Sequence, residues 1–156
     1  MQLLISLILT ILPFIELRGG LPVIIDYAIK NNLPIWPYFA IVLILNILLI
    51  FFIFFFLDFL HVHFMKLSSY RYFMNKYLDR VRKKSIKFQK DFKAIGYLAL
   101  CLFVAIPLPG TGAWTGSFLA WFLKLNRLRS FIAIALGVTL AGFIVLFISL
   151  GVFQAF

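Results

Sequence analysis

Residues Ile106 to Gly116 read Ile-Pro-Leu-Pro-Gly-Thr-Gly-Ala-Trp-Thr-Gly and interrupt an otherwise apolar run, Tyr97 to Leu123, of about membrane-spanning length. An interior proline costs a helix roughly 3 kcal/mol and an interior glycine about 1 kcal/mol, because the first removes a donor and clashes with the preceding turn while the second loses backbone entropy. Pro107, Pro109, Gly110, Gly112 and Gly116 together therefore predict that the helix breaks in mid-run. Inside hydrocarbon, broken backbone survives only where it is buried in protein or lines a wet cavity, since each unsatisfied N–H or C=O costs several kcal/mol. A break at this depth predicts a site.

Composition gives the class. The 156 residues are 64% hydrophobic and 13% charged, with 20 phenylalanines, which is the make-up of an all-α integral membrane protein rather than of a soluble domain. The net charge of +10 is uneven: ten of the fifteen basic residues lie between Lys66 and Lys93. That clustering marks a cytoplasmic loop of a multi-pass protein in the cell membrane, not a nucleic-acid-binding face. Cys101 stands alone, so no internal disulfide forms. The amino terminus has no basic residue before Arg18 and no small-residue cleavage site, and does not read as a removable signal.

Residues 3–15 form an apolar run of about thirteen residues, roughly 20 Å as a helix, too short for a hydrocarbon core of about 30 Å. It meets Glu16-Leu17-Arg18-Gly19-Gly20-Leu21-Pro22, and a second short apolar stretch follows to Ile29 before Lys30-Asn31-Asn32-Leu33-Pro34. Two half-length arms around a Gly/Pro turn predict a re-entrant hairpin over 3–30, with a single kinked span as the competing reading. Pro34, Trp36, Pro37 and Tyr38 suit an interfacial turn, and 39–57 reads as a full span broken only by Asn46. In the linker, 64–94, and its edge, Met74, Leu78, Val81, Ser85, Phe88, Phe92 and Ile95 recur in steps of four and three beside a basic face. This predicts an amphipathic helix lying on an anionic cytoplasmic leaflet, or failing that a coiled-coil seam.

The second half, 95–156, holds the broken segment over 97–123, the basic cluster Lys124, Arg127 and Arg129, and a last span over 130–156. A broken segment that crossed the bilayer would put one of its two flanking basic clusters outside, whereas a re-entrant one keeps both in the cytoplasm. Sliding the first half, 1–63, forward by 91 residues superposes Gly19 on Gly110, Asn46 on Gly137 and the first span on the second. Each half is thus a short-armed hairpin plus one span, and the two enter from opposite faces as inverted repeats within one membrane domain, with their hairpin tips meeting near the midplane.

Glu16 and Arg18 carry the ionisable groups of the first tip, and groups of that kind at membrane depth usually serve function. Glu16 suits a proton or cation carrier and Arg18 an anion contact, with a structural ion pair as the alternative. Gly19, Gly20 and Pro22 shape that tip. In the second, Pro107, Pro109, Gly110, Gly112 and Gly116 shape the turn, while Thr111, Trp114, Thr115 and free amides at a half-helix amino terminus offer an anion site. The plainer alternative is close packing of small residues with threonine hydroxyls satisfying broken backbone. His61 and His63, two apart, do not make a one-face ligand pair, so no metal is expected. Asp58 and His61 share a face at three-residue spacing and suit either a proton relay or an ordinary interfacial pair. No nucleophile-base set, P-loop or dinucleotide fingerprint occurs, so neither an enzyme nor a cofactor is expected.

Glu16-Leu17-Arg18-Gly19-Gly20-Leu21-Pro22 and Pro107-Leu108-Pro109-Gly110-Thr111-Gly112-Ala113-Trp114-Thr115-Gly116 closely resemble the paired signatures of the prokaryotic small multidrug export family. That family is similar, more distantly, to DedA and VTT-domain membrane proteins. Those have two re-entrant hairpins around a site and are associated with lipid-carrier translocation, lipid scrambling and proton-dependent drug resistance. The resemblance implies that Glu16 is the acidic position of the first hairpin and Pro109-Gly110 the Pro-Gly of the second. The arginines that usually flank that Pro-Gly are missing, and Arg18 is the only hairpin arginine. The expectation is a proton-coupled transporter or flippase of a small amphiphilic or lipid-linked substrate, working among membrane lipids as a homo-oligomer, a dimer. An uncoupled scramblase and a non-transporting scaffold are the alternatives.

Overall fold

The computed structural model describes residues 2–13, 15–64, 66, 72, 76, 91–108 and 110–155. Among them run six helices: α1 (Gln2–Ile11), α2 (Glu16–Lys30), α3 (Ile35–Phe64), α4 (Asp91–Ala105), α5 (Ala113–Phe122) and α6 (Arg127–Ala155). No strand occurs among the described residues. The expected basic amphipathic helix and Pro109 fall largely or wholly outside them.

Two helices, Ile35–Phe64 and the stretch Arg127–Val152 of α6, are long and apolar enough to cross a membrane. Both exceed the predicted spans of 39–57 and 130–156 at their amino ends. Pro37 lies in the first turn of α3, where its missing N–H would have no partner in any case, so Trp36 to Tyr38 wind into the helix instead of forming a turn before it. At α6, Asn126 Oδ1 accepts the Arg129 N–H at 3.2 Å and caps the helix three residues early.

α3 and α6 lie antiparallel. Asp58, late in α3, pairs with Arg127 at the start of α6, and Phe39, early in α3, packs at a tilt against Phe143, 5.2 Å between ring centroids. α2 and α5 each pack against both long helices, while α1 lies on α2 and α4 lies on α6. Leu21, Ile24, Ile25, Ile50, Ile53, Ile134 and Leu146 fill the shared interior. Leu48, Phe51 and Phe55 of α3 and Leu136 and Phe147 of α6 face outward with more than half of their surface exposed. Apolar ridges of this kind mark a surface that meets lipid or another protein.

α2 ends beside the start of α3, where Tyr27 meets Tyr38 edge to face at 6.3 Å. α5 ends beside the other end of α3, where Trp121 Nε1 donates to Asp58 at 3.1 Å. Their amino ends, by contrast, touch each other. Both outer ends stop in the same way, on a left-handed non-glycine residue. Asn32 has φ 53 and Lys124 φ 54, and the next amide reaches back to Ala28 O at 2.8 Å and to Ala120 O at 3.0 Å respectively.

Candidate functional site

Glu16 opens α2, and its carboxylate lies against the first turn of α5. Oε2 accepts the Ala113 N–H and Oε1 the Trp114 N–H, both at 2.9 Å. These amides are among the four that begin every helix without an internal partner, at the positive end of its dipole. The residue is buried, with 3% of its surface exposed, and bonds to a charged group contribute roughly 1.5–3 kcal/mol each. Sequence reasoning expected an anion at this helix end; the anion the fold brings there is the carboxylate of the other motif.

Arg18 does the converse. Its Nη2 donates to Thr111 Oγ1 at 2.8 Å, to Ile106 O at 3.0 Å and, more weakly, to Val104 O at 3.4 Å. Those carbonyls belong to the end of α4 and the turn after it, the negative end of a helix, where a cation is favoured. Glu16 and Arg18 form no ion pair with each other in the structure. Each clasps one broken end of the second motif, and the two ends carry opposite partial charges. The break at α1 is satisfied likewise: Trp114 Nε1 donates to Ile11 O at 3.1 Å and Asn46 Nδ2 reaches Thr10 O at 3.4 Å.

The glycines make these approaches possible. A Cβ on Gly112 would lie 1.5 Å from Glu16 Oε2, so nothing larger admits the carboxylate. Gly110, at φ 84, turns the chain between α4 and α5. Thr111 Oγ1 lies 2.7 Å from Ile106 O and 2.9 Å from Leu108 O, and Thr115 Oγ1 donates to Gly110 O at 2.5 Å. The hydroxyls therefore satisfy the turn while Thr111 also receives Arg18. Gly116 sits under Val104, whose Cγ2 a Cβ would meet at 2.7 Å. Pro107 lies half-buried in the turn.

The first tip differs from expectation. Gly19, Gly20 and Pro22 lie inside α2 and are not its turn. The chain reverses between α1 and α2, where Pro13 stands two residues past the end of α1 and cannot continue it. Gly20 instead lets α1 settle onto α2: its carbonyl accepts Ser6 Oγ at 2.7 Å, and a Cβ there would lie 2.0 Å from Thr10 Oγ1 and 2.7 Å from Ser6 O.

A small crevice adjoins the clasp, lined by Glu16 and Arg18 of α2, Asn46 of α3, Val104 of α4, Gly112 and the α6 residues Val138 and Ala141. Asn46, the lone polar residue in the middle of the first span, bonds across to Thr10 O of α1 and shares this lining. At the far end of α5, Asp58, Trp121, Lys124 and Arg127 form a second polar cluster, with the Lys124 ammonium 4.6 Å from the Trp121 ring centroid and the His61 ring 5.5 Å from it. Asp58 is committed to Arg127 and Trp121 there. Among the described residues no three His, Cys, Asp or Glu side chains gather as a metal site.

No curated protein and no solved structure matches the chain. The profile of the family described as "Putative small multi-drug export protein" matches residues 16–144, beginning at the clasping carboxylate and taking in both motifs and most of α6. Two long apolar helices, a charge-clasped break between two short ones and that match over most of its length make the chain a member of the small multi-drug export protein family.

Proposed function

We propose that this membrane protein is a transporter or flippase for a small amphiphilic or lipid-linked substrate, gated where two re-entrant hairpins meet. In this reading α1–α2 and α4–α5 are the hairpins of two inverted repeats, each followed by its span, α3 or α6. α1, α2 and α5, of ten to fifteen residues, reach about 15–22 Å, short of the hydrocarbon core of about 30 Å. α2 and α5 start together and run to opposite ends of the antiparallel pair, which is the arrangement expected of half-helices entering from opposite faces. The basic linker, 64–94, then lies in the cytoplasm. Two spans enclose too little for a pathway, so the working unit is a homodimer.

The observation that carries this reading is Glu16 seated on the Ala113 and Trp114 amides. Ionised, the carboxylate holds the tips together across the two halves. Protonated, it loses its charge and most of its attraction to the helix dipole, and the α5 amides are freed for an anionic group on the substrate, with Arg18 beside them. Proton and substrate anion thus compete through one set of donors, which couples their movements. Export, the activity in the family's description, fits such a gate.

Reconstitution in liposomes with candidate lipid-linked phosphates and cationic drugs, with and without a pH gradient, tests it. Glu16→Gln is expected to abolish transport and its pH dependence together. Lipid movement that persists without a gradient and tolerates Glu16→Gln would overturn coupling in favour of a scramblase.

A further inference from the structure

We infer that the turn between α5 and α6, residues 123–129, binds an anionic phospholipid, whose headgroup meets Lys124 and Arg129 while its acyl chains lie against Leu123 and Leu128. The inference needs only that the two long helices cross the bilayer, and it stands apart from the gate. The two ends of the antiparallel pair differ in charge. At the end where α2 stops, Lys30 pairs with Asp26 at 2.7 Å and the balance is neutral. At the other end Asp58 is taken up by Arg127 and by the Trp121 indole. Lys124 and Arg129 stand exposed there, with no carboxylate partner among the described residues. Tyr97, near the start of α4, accepts the Asn126 N–H at 3.0 Å, so the linker, 64–94, leaves α3 and rejoins α4 at this same end. Apart from Glu16, Arg18, Asp26 and Lys30, every charged residue of the chain falls between Asp58 and Arg129, thirteen basic against three acidic. The net charge of +10 is therefore carried by one end of the helix pair and the linker attached to it.

Basic residues alone would suit any polyanion; the apolar ones between them select lipid. Leu123 is 45% exposed beside Lys124, and Leu128 is 69% exposed between Arg127 and Arg129. Phe118, one turn before Phe122 on α5, continues the exposed apolar surface toward the bilayer. Apolar and basic side chains interleaved on one turn at the end of two spans give hydrocarbon to one set and headgroups to the other. Trp121 belongs at that depth too, with its ring against the Lys124 ammonium and its N–H on Asp58. Lys124 itself holds φ 54, a left-handed conformation that asparagine takes at the matching end of α2 and glycine takes without strain. A cation is thus kept on a sharp turn where a neutral residue would sit more easily, and an anionic headgroup is what makes use of it.

The test is ¹⁹F NMR of the full-length protein in neutral detergent micelles, its three tryptophans replaced by 5-fluorotryptophan and assigned with single Trp→Phe variants. Phosphatidylglycerol, phosphatidylcholine and soluble glycerophosphate are titrated in turn. The Trp121 signal is expected to shift saturably with phosphatidylglycerol at roughly 30-fold lower concentration than with phosphatidylcholine, since each of the two basic residues contributes about fivefold at an anionic surface. Trp36, at the neutral end, is expected to respond alike to both lipids. Lys124→Asn with Arg129→Gln keeps the Arg127–Asp58 pair and suits the left-handed turn, and is expected to abolish the preference at Trp121. Equal midpoints for the two lipids in the wild type overturn the inference. So does a preference that survives loss of Lys124 and Arg129, which would assign the attraction to the linker, and so does glycerophosphate acting as well as the lipid, which would make the turn a site for soluble anions.

Discussion

The two halves of the chain share an order of elements, two short helices and then a long one, yet they pack differently inside. In the first, α1 leans on its own short partner α2, with Gly20 under Ser6 and Thr10. In the second, α4 leans on the long helix α6, with Gly137 under the Cys101 carbonyl, 2.6 Å from where a Cβ would stand. Thr10 and Cys101 are 91 residues apart, and so are Asn46 and Gly137. At matching places a carbonyl near the end of a short helix thus meets a long helix. One half spans the gap with an asparagine side chain and the other closes it with a glycine. The lesson is that small residues choose which neighbour a half-helix belongs to, and that the half with the looser joint to its long helix keeps a polar side chain there.

Substitutions that test this contrast rank by how much backbone they displace. Gly112→Ala is expected to do most. Its Cβ falls 1.5 Å from Glu16 Oε2, so the carboxylate must leave the α5 amides, and an uncompensated buried charge costs about 3–5 kcal/mol. Thermal unfolding in detergent should show a large fall in midpoint, and transport should be lost with it. Gly137→Ala and Gly20→Ala come next, each at about 1–3 kcal/mol for overpacking. They differ in rescue. Thr10→Ala should recover part of the Gly20→Ala loss, because the nearest obstacle there is the Thr10 side chain at 2.0 Å. No side-chain trim should fully recover Gly137→Ala, whose nearest obstacle is the Cys101 backbone. Equal rescue at both sites would break the contrast. Asp58→Asn, at a partly exposed pair between α3 and α6, should cost about 1 kcal/mol or less in the same melts. Lys30→Ala, removing an exposed i,i+4 pair with Asp26, should cost no more than about 0.5 kcal/mol.

Much of this was legible in the residues. Pro107, Gly110 and Gly112 leave a helix no way through, so the gap between α4 and α5 follows from local chemistry. The two long helices follow from apolar length. The clasp did not follow, because Glu16 and Ala113 lie 97 residues apart, and a carboxylate and a free helix end each read as a site awaiting something from outside. Gly19, Gly20 and Pro22 misled for another reason. Glycine serves a turn or a close contact equally well, and only the position of Ser6 and Thr10 over Gly20 separates the two. The actual reversal belongs to Pro13, a residue passed over because it sits inside an apolar run.

The two ends of α5 are held by unlike means. At the far end Trp121 donates to Asp58 and is contacted by the Lys124 ammonium and the His61 ring, whereas at the near end the backbone is gripped by one carboxylate. The helix is ten residues, about 15 Å long, and its near end is tied to the first half by Glu16 and by the Trp114 indole on Ile11 O. In the gate proposed above, losing the carboxylate would free two backbone amides at the near end while Trp121 still ties the far end to Asp58.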